Sequence, residues 1–441
     1  MCAQIIKEIT MPDTSIPHLQ SLDNLTNDIS TPVLSGKNAL RAVFKDHFNE
    51  LPGLNLRPVV IKEIEKMINC QNPDSGTYYC RTSCNYQLFV PFTCKSRFCP
   101  SCGTMINKQR CVAISNHILD VMHRQWVFTI PKDLWPYFKD NWDLINYLFD
   151  AASETIRFVT KRICPDLDVE PGFIGVLHTF GRSDKDFEPH IHFVVTAGGI
   201  TKYGKWFEIK RYPYELVRKT FQKKVLSKLS LPSALGYKFR PVADEMYKKY
   251  PNGFVVNLPL PEDHLKDDLK KIVKYIARYI ARPCIASGRI DAYDGEKISY
   301  HYTPHESNES VPCTVTAIEF IQMLAQHIPD ENFRILRYYG IYNNSNHKAV
   351  ERVNKAIGIK QVDYLYAPEN KEYREYFSHW EGSMIHTFNV DPLDCPECGT
   401  RDMVALFAKY NGKTYYAPNV KPKYQGPPPK LVQRKIPTCP K

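Results

Sequence analysis

His190 and His192 stand either side of one apolar residue in Pro189-His190-Ile191-His192-Phe193. The run from Ile191 to Thr196 is apolar and β-branched, which predicts a strand. Alternate side chains of a strand share a face, so both imidazoles point the same way, about 7 Å apart at Cα. Two imidazoles so placed can converge on one divalent ion, provided a neighbouring element brings a third donor. Phe173 to Phe180 is a second strand-like run, and Gly181-Arg182-Ser183-Asp184-Lys185 begins a polar turn between the two. A hairpin of that kind lays His178 alongside the pair; Glu188 is the second choice for third ligand. An ordinary strand with polar alternation gives the same spacing, so the pair gains weight only from its surroundings.

About eighty residues later comes Lys274-Tyr275-Ile276-Ala277-Arg278-Tyr279, in a stretch that reads as a helix from about 263 to 282 and is stopped by Pro283. At about 100° per residue, Lys271, Tyr275, Arg278, Tyr279 and Arg282 fall on one stripe. Leu265, Leu269, Ile272, Ile276 and Ile280 fall on another, which is expected to pack on the sheet. Most of the chain's 27 tyrosines serve packing. Two on a cationic stripe off the apolar face are better placed for chemistry. A phenol has a pKa near ~10 and is a poor nucleophile at neutral pH, but a metal that polarises a phosphate can make it sufficient. Mg²⁺ or Mn²⁺ suits that use, and imidazole donors favour Mn²⁺.

The 14 cysteines concentrate between Cys70 and Cys102. Cys99 and Cys102 form a CxxC knuckle, and Cys80 and Cys84 a looser CxxxC partner. A closed structural Zn²⁺ site needs two close pairs of this kind. The expected ligands are therefore Cys80, Cys84, Cys99 and Cys102, with Cys94 as the alternate and Cys70 spare. Lys95, Arg97, Lys108 and Arg110 around them suit contact with DNA. A second knuckle, Cys395-Pro396-Glu397-Cys398, has no second cysteine pair, though His379 and His386 could complete it.

The net charge of +11 is concentrated. Residues 201–250 hold 13 Lys/Arg against four Asp/Glu, and 409–441 hold eight Lys/Arg and no acid. Such surpluses suit a polyanion. No apolar run approaches the ~20 residues of a membrane span, and the segment from Met1 to Glu8 has no signal-peptide core. The expectation is a cytoplasmic protein working on DNA, whose cysteines serve metal rather than disulfides. Strands and helices mix without a repeat, which predicts an α+β fold. The expected division is a flexible arm (1–37), a helical and Cys-rich zinc-binding module (38–120), a catalytic domain (121–300), an accessory region (301–408) and a basic disordered tail (409–441).

Taken in order, these segments resemble the rolling-circle transposases of the insertion-sequence 91 family and its common-region relatives, which are HUH enzymes with two tyrosines. The resemblance is carried by residues 94–102, Val127-Phe128-Thr129-Ile130-Pro131, Leu177-His178-Thr179-Phe180-Gly181, Pro189-His190-Ile191-His192 and residues 275–283. His327-Ile328-Pro329, residues 334–340 and Asp391-Pro392-Leu393-Asp394-Cys395-Pro396 continue it. It implies an HUH endonuclease domain with a central antiparallel sheet and flanking helices, preceded by the zinc module. It further implies His190 and His192 as metal ligands, Tyr275 and Tyr279 as nucleophiles, 5′-phosphotyrosine intermediates, and single-stranded transposon ends and target as substrates. Lys271, Arg278 and Arg282 are expected to hold phosphate near the cut. No Walker-type Gly-x-x-x-x-Gly-Lys-Ser/Thr loop is present, so a host helicase is an expected partner. A replication initiator or relaxase would use the same nicking chemistry without strand transfer. A non-enzymatic zinc-containing DNA-binding protein would form no covalent adduct, and a zinc-only RNA-binding factor would prefer RNA.

Overall fold

The computed structural model describes residues 34–80, 86–115, 118–119, 121–139, 141–181, 186–258, 285–303, 309–343, 379–401 and 403–416. In chain order its longer elements are helices α1 (Gly36–Asp46) and α2 (Pro58–Ile68), strands β1 (Gly76–Cys80) and β2 (Gln87–Pro91), and helix α3 (Pro100–Ser115). Strand β3 (His123–Thr129), helices α4 (Trp135–Lys139) and α5 (Asp143–Ile163), and strands β4 (Glu170–Phe180), β5 (Phe187–Ile200) and β6 (Trp206–Glu208) follow. Then come α6 (Tyr214–Leu229), α7 (Arg240–Lys249), β7 (Val256–Asn257), β8 (Ile290–Tyr293), β9 (Lys297–Tyr302), β10 (Val311–Thr316) and α8 (Ala317–Ala325). The last are β11 (Leu336–Gly340), α9 (Trp380–Phe388), β12 (Val404–Tyr410) and β13 (Lys413–Tyr416). The architecture is α+β. Among the described residues no helix is long and apolar enough to cross a membrane.

The main sheet has the order β11-β4-β5-β3-β7, with β6 on the end of β5, and its pairs are antiparallel. Its centre is buried on both faces, which is why β4 and β5 read as nearly continuous apolar runs. On one face Phe128, Phe173, Leu177, Ile191, Phe193 and Val195 meet the apolar sides of α5 and α6, with Phe128 packed edge-on to Phe221 at 4.8 Å. On the other face Ile174, Val176 and Val194 pack with Ile114, Ile118, Ile341 and Tyr342. Gly175 permits this closeness: a Cβ there would lie 2.4 Å from the Phe193 ring.

A second core joins distant parts of the chain. Val43, Phe44, Ile64 and Met67 of α1 and α2, with Cys99 and Cys102, pack against Ile285, Ile298, Tyr300, Phe320 and Leu324. The β10-β9-β8 sheet thereby backs the N-terminal helices. Helix α8 opens with a full capping box, Thr316 accepting from the Glu319 amide while Glu319 accepts from the Thr316 amide. A third sheet, β13-β12-β1-β2, pairs residues 404–416 with 76–91. Residues 301–408 contribute strands to three different sheets.

The basic stretch 201–250 forms helix at Tyr214–Leu229 and at Arg240–Lys249. Trp206–Glu208 extends the sheet along β5, and Pro213 stands at the N-cap of the first of these helices. Strand β7 is two residues long, Val256–Asn257. The expected helix around Tyr275 and Tyr279, the arm up to residue 33 and the tail from residue 417 lie outside the described residues.

Candidate metal centres

Antiparallel pairing of β4 with β5 sets His178 directly opposite His190, and Val176 opposite His192. The pleat puts all three imidazoles on one face, while Leu177, Ile191 and Phe193 point into the helix-covered core. Ring centroids lie 5.5 Å apart for His178 and His190, 4.6 Å for His178 and His192, and 5.0 Å for His190 and His192. One nitrogen from each ring lies within 4.8 Å of the others. His178 and His192 are buried and His190 is half-buried, so the group opens on the His190 side.

The Nδ1 of His190 is 2.8 Å from the Glu188 carbonyl oxygen. A carbonyl can only accept, so Nδ1 carries the proton and Nε2 is left as the lone-pair donor, the tautomer a metal needs. Glu188 therefore acts through its backbone; its carboxylate is not among the converging donors. Burial, then the nearby Asp186, holds that carboxyl above the usual carboxylate range. Below the histidines, Phe180 stacks on His178 at 5.2 Å. His327 Nδ1 sits 3.1 Å from the Thr179 hydroxyl, with its ring parallel to Phe187.

The second cluster is Cys70, Cys94, Cys99 and Cys102, whose sulfurs all lie within 4.8 Å of one another. Zn–S bonds of about 2.3 Å in a tetrahedron put sulfurs about 3.8 Å apart; Cys70 and Cys102 are 3.5 Å apart. Backbone amides donate to the sulfurs, Cys94 to Cys70 at 3.5 Å and Ser96 to Cys94 at 3.4 Å. Hydrogen bonding among the four sulfurs holds Cys70 and Cys99 below the usual thiol range and Cys94 and Cys102 above it. The loop closes on α3 at Gly103, where a Cβ would stand 2.3 Å from the Arg97 carbonyl oxygen. Donor set, spacing and burial fit a structural Zn²⁺.

This quartet includes the expected Cys99 and Cys102 and the alternate Cys94, but its fourth member is Cys70. Four thiolates fill a tetrahedral site, so the quartet has no place for the expected Cys80 and Cys84. The Cys84 residue and the Cys80 side chain lie outside the described residues. What sequence spacing missed is that Cys70, at the end of α2, is carried back to the knuckle by the helix pair. Among the described residues no group of three donors forms around Cys395 and Cys398.

The basic residues expected to touch DNA divide. Lys95 is exposed, on a left-handed backbone at φ 55°. Arg97, Lys108 and Arg110 are half-buried. Burial, then repulsion from Arg110, lowers Arg97 to about 10, and burial lowers Lys108 to about 8. One Nη1 of Arg97 and one of Arg110 are buried with no hydrogen-bond partner. Tyr275, Tyr279, Lys271, Arg278 and Arg282 lie outside the described residues.

Residues 42–130 match the family model described as "Transposase zinc-binding domain", and residues 172–349 match the one described as "Putative transposase". The chain is 28% identical over 358 residues to the "Transposase for insertion sequence element IS801" of Pseudomonas savastanoi pv. phaseolicola, covering 78% of this chain and 83% of that one. It is 25% identical over 347 residues to "Putative transposase y4qJ" of Sinorhizobium fredii, covering 73% and 82%. No solved structure gives a significant match.

Proposed function

The chain belongs to the insertion-sequence 91 family of transposases, and from that premise we propose that it cuts and rejoins single-stranded DNA through tyrosine. The observation that carries the reading is the convergence of His178, His190 and His192 on one face of the central sheet, with His190 at its half-buried side. Those three imidazoles would hold a divalent ion, Mn²⁺ suiting the nitrogen donors better than Mg²⁺. Such an ion supplies electrophilic stabilisation of phosphate oxygens as charge grows on them. In the proposed reaction the hydroxyl oxygen of Tyr275 or Tyr279 attacks phosphorus. A tyrosyl O–P bond forms, the P–O3′ bond breaks, the phenolic proton passes to solvent, and the departing 3′-oxygen is protonated. The 5′-phosphotyrosine conserves the bond energy, so a later attack by a 3′-hydroxyl reseals a strand without ATP. Two tyrosines let one hold an end while the other cuts again, and Lys271, Arg278 and Arg282 would hold phosphate beside them.

The zinc cluster has four thiolate donors and so no open coordination position, which assigns it a structural role. The exposed ammonium of Lys95 beside the cluster would be available to a DNA phosphate. The test uses purified protein, Mn²⁺ and labelled single strands bearing the element's ends. A covalent adduct is expected, lost in the Tyr275→Phe, Tyr279→Phe double variant and in His190→Ala. No adduct with any end sequence, alongside intact binding after chelation, would favour a non-enzymatic DNA-binding protein. Nicking without transfer between donor and target would favour an initiator or relaxase.

A further inference from the structure

On the third sheet, the cross-strand row Val90, Thr77, Ala408, Tyr415 lies on one face and spans all four strands. Three of these side chains are short, so the row forms a floor. Aromatic rings rise around it: Tyr410 two residues along β12, Phe92 just past β2, and Trp380 at the start of α9. Together with Lys95 they enclose an open groove of about 710 Å³, a volume within the range of small-molecule sites. Trp380, Tyr410 and Tyr415 are 51%, 52% and 54% exposed, and Phe92 38%. Four large rings left wet in one place differ from apolar residues scattered singly over a surface.

The surroundings select the occupant. Among the described residues Lys95 is the sole ammonium or guanidinium lining the groove, and no carboxylate lines it. Lys413 pairs with Tyr410 and so lies on the same face of the sheet, and the residues from 409 to the end carry no acid. Thr77, Thr93 and the tyrosine hydroxyls supply hydrogen-bond groups. Exposed ring faces over a small-residue floor, with cations at the margin, match what unpaired bases require: stacking on aromatics and charge for the backbone. A duplex has its base faces occupied and cannot use such rings.

We propose that this groove is a second nucleic-acid site, separate from the histidine face, that holds unpaired bases of single-stranded DNA by stacking on Trp380, Tyr410 and Tyr415, with Lys95 taking a phosphate. The proposal rests on the reading of the protein as one that handles single-stranded DNA, and adds where the strand is gripped away from the cut.

The test is titration of the full-length zinc-loaded protein with an eight-nucleotide oligothymidylate, without added Mn²⁺, following tryptophan emission. Quenching is expected in the parent and absent in Trp380→Phe, which assigns the signal. Tyr415→Ala and Tyr410→Leu should each weaken binding roughly tenfold, and Tyr410→Phe should restore it, with zinc content and circular dichroism unchanged. Adduct formation on a short cut-site oligonucleotide is measured separately. Adduct formation with no change in Trp380 emission, or affinity untouched by the ring substitutions, would overturn the groove and leave nicking intact. Quenching and ring dependence without any adduct would support the groove and overturn nicking. Equal affinity for duplex of the same sequence, or a dimer that Tyr415→Ala dissolves, would also overturn the groove.

Discussion

Replacing Cys70 by serine should release zinc, whereas replacing Cys84 should not. The sulfur of Cys70 lies 3.5 Å from that of Cys102, within the quartet, and Cys70, Cys99 and Cys102 are buried in the core that joins the N-terminal helices to β8–β10. A structural Zn²⁺ site contributes about 10–16 kcal/mol of apparent binding free energy. If one of four thiolates carries about a quarter, its loss costs about 3 kcal/mol, or roughly 100-fold in affinity. Serine also leaves three sulfurs crowded in the core without their common partner. The assay is zinc stoichiometry by mass spectrometry after dialysis, then competition against a chromophoric chelator. The Cys70→Ser, Cys94→Ser and Cys99→Ser proteins should each lose one equivalent to the chelator at concentrations where the parent and Cys84→Ser hold it. Retention by Cys70→Ser together with loss by Cys84→Ser would refute the ligand set and the reasoning from burial behind it.

Three further outcomes are expected. His123 is buried and neutral, donating from Nδ1 to the Val121 carbonyl at 2.7 Å and accepting at Nε2 from the Tyr342 hydroxyl at 2.6 Å; burial lowers it from 6.5 to about 4. Between those values the unfolded chain binds a proton that the folded chain refuses, so stability is full above pH 6.5 and falls by about 3 kcal/mol as pH drops to 4; urea titrations of the parent and of His123→Gln should differ in this slope. Gly175→Ala drives a Cβ to 2.4 Å from the Phe193 ring and should destabilise by about 1–3 kcal/mol, with partial rescue by Phe193→Leu in a double-mutant cycle. Glu188→Ala should leave Mn²⁺ affinity within about threefold of the parent by calorimetry, because Glu188 contributes a carbonyl, whereas His178→Ala should lower it by about 10-fold or more.

The strands around the histidines were legible because their pattern is local: β-branched runs bounded by Pro131 and by the polar turn after Phe180. The same hairpin argument set His178 against His190, since register follows from turn and pleat. Pairing across long separations left no such trace. Tyr338 pairs with Ile174 and Phe407 with Tyr78, and nothing in the spacing of residues 334–340 or 404–410 names those partners. The cysteines show the same limit. Knuckle spacing marks Cys99 and Cys102 and offers Cys80 and Cys84 as the nearest close pair, whereas nothing in the spacing marks the approach of Cys70 from the end of α2 to the same sulfurs. The lysines and arginines of the zinc segment suit DNA contact by their charge, but charge carries no sign of burial, and Arg97 and Arg110 are half-buried.

The buried position of Ile285 has a mechanical meaning. Val256, on the β7 edge of the main sheet, is buried in one core, and Ile285 is buried in the other, beside the zinc-side helices and β8–β10. The stretch of sequence between these two positions carries Tyr275 and Tyr279, so the covalent chain that bears them begins at one core and ends at the other. A pull on the zinc-side core by captured DNA would reach the downstream end of that chain at position 285.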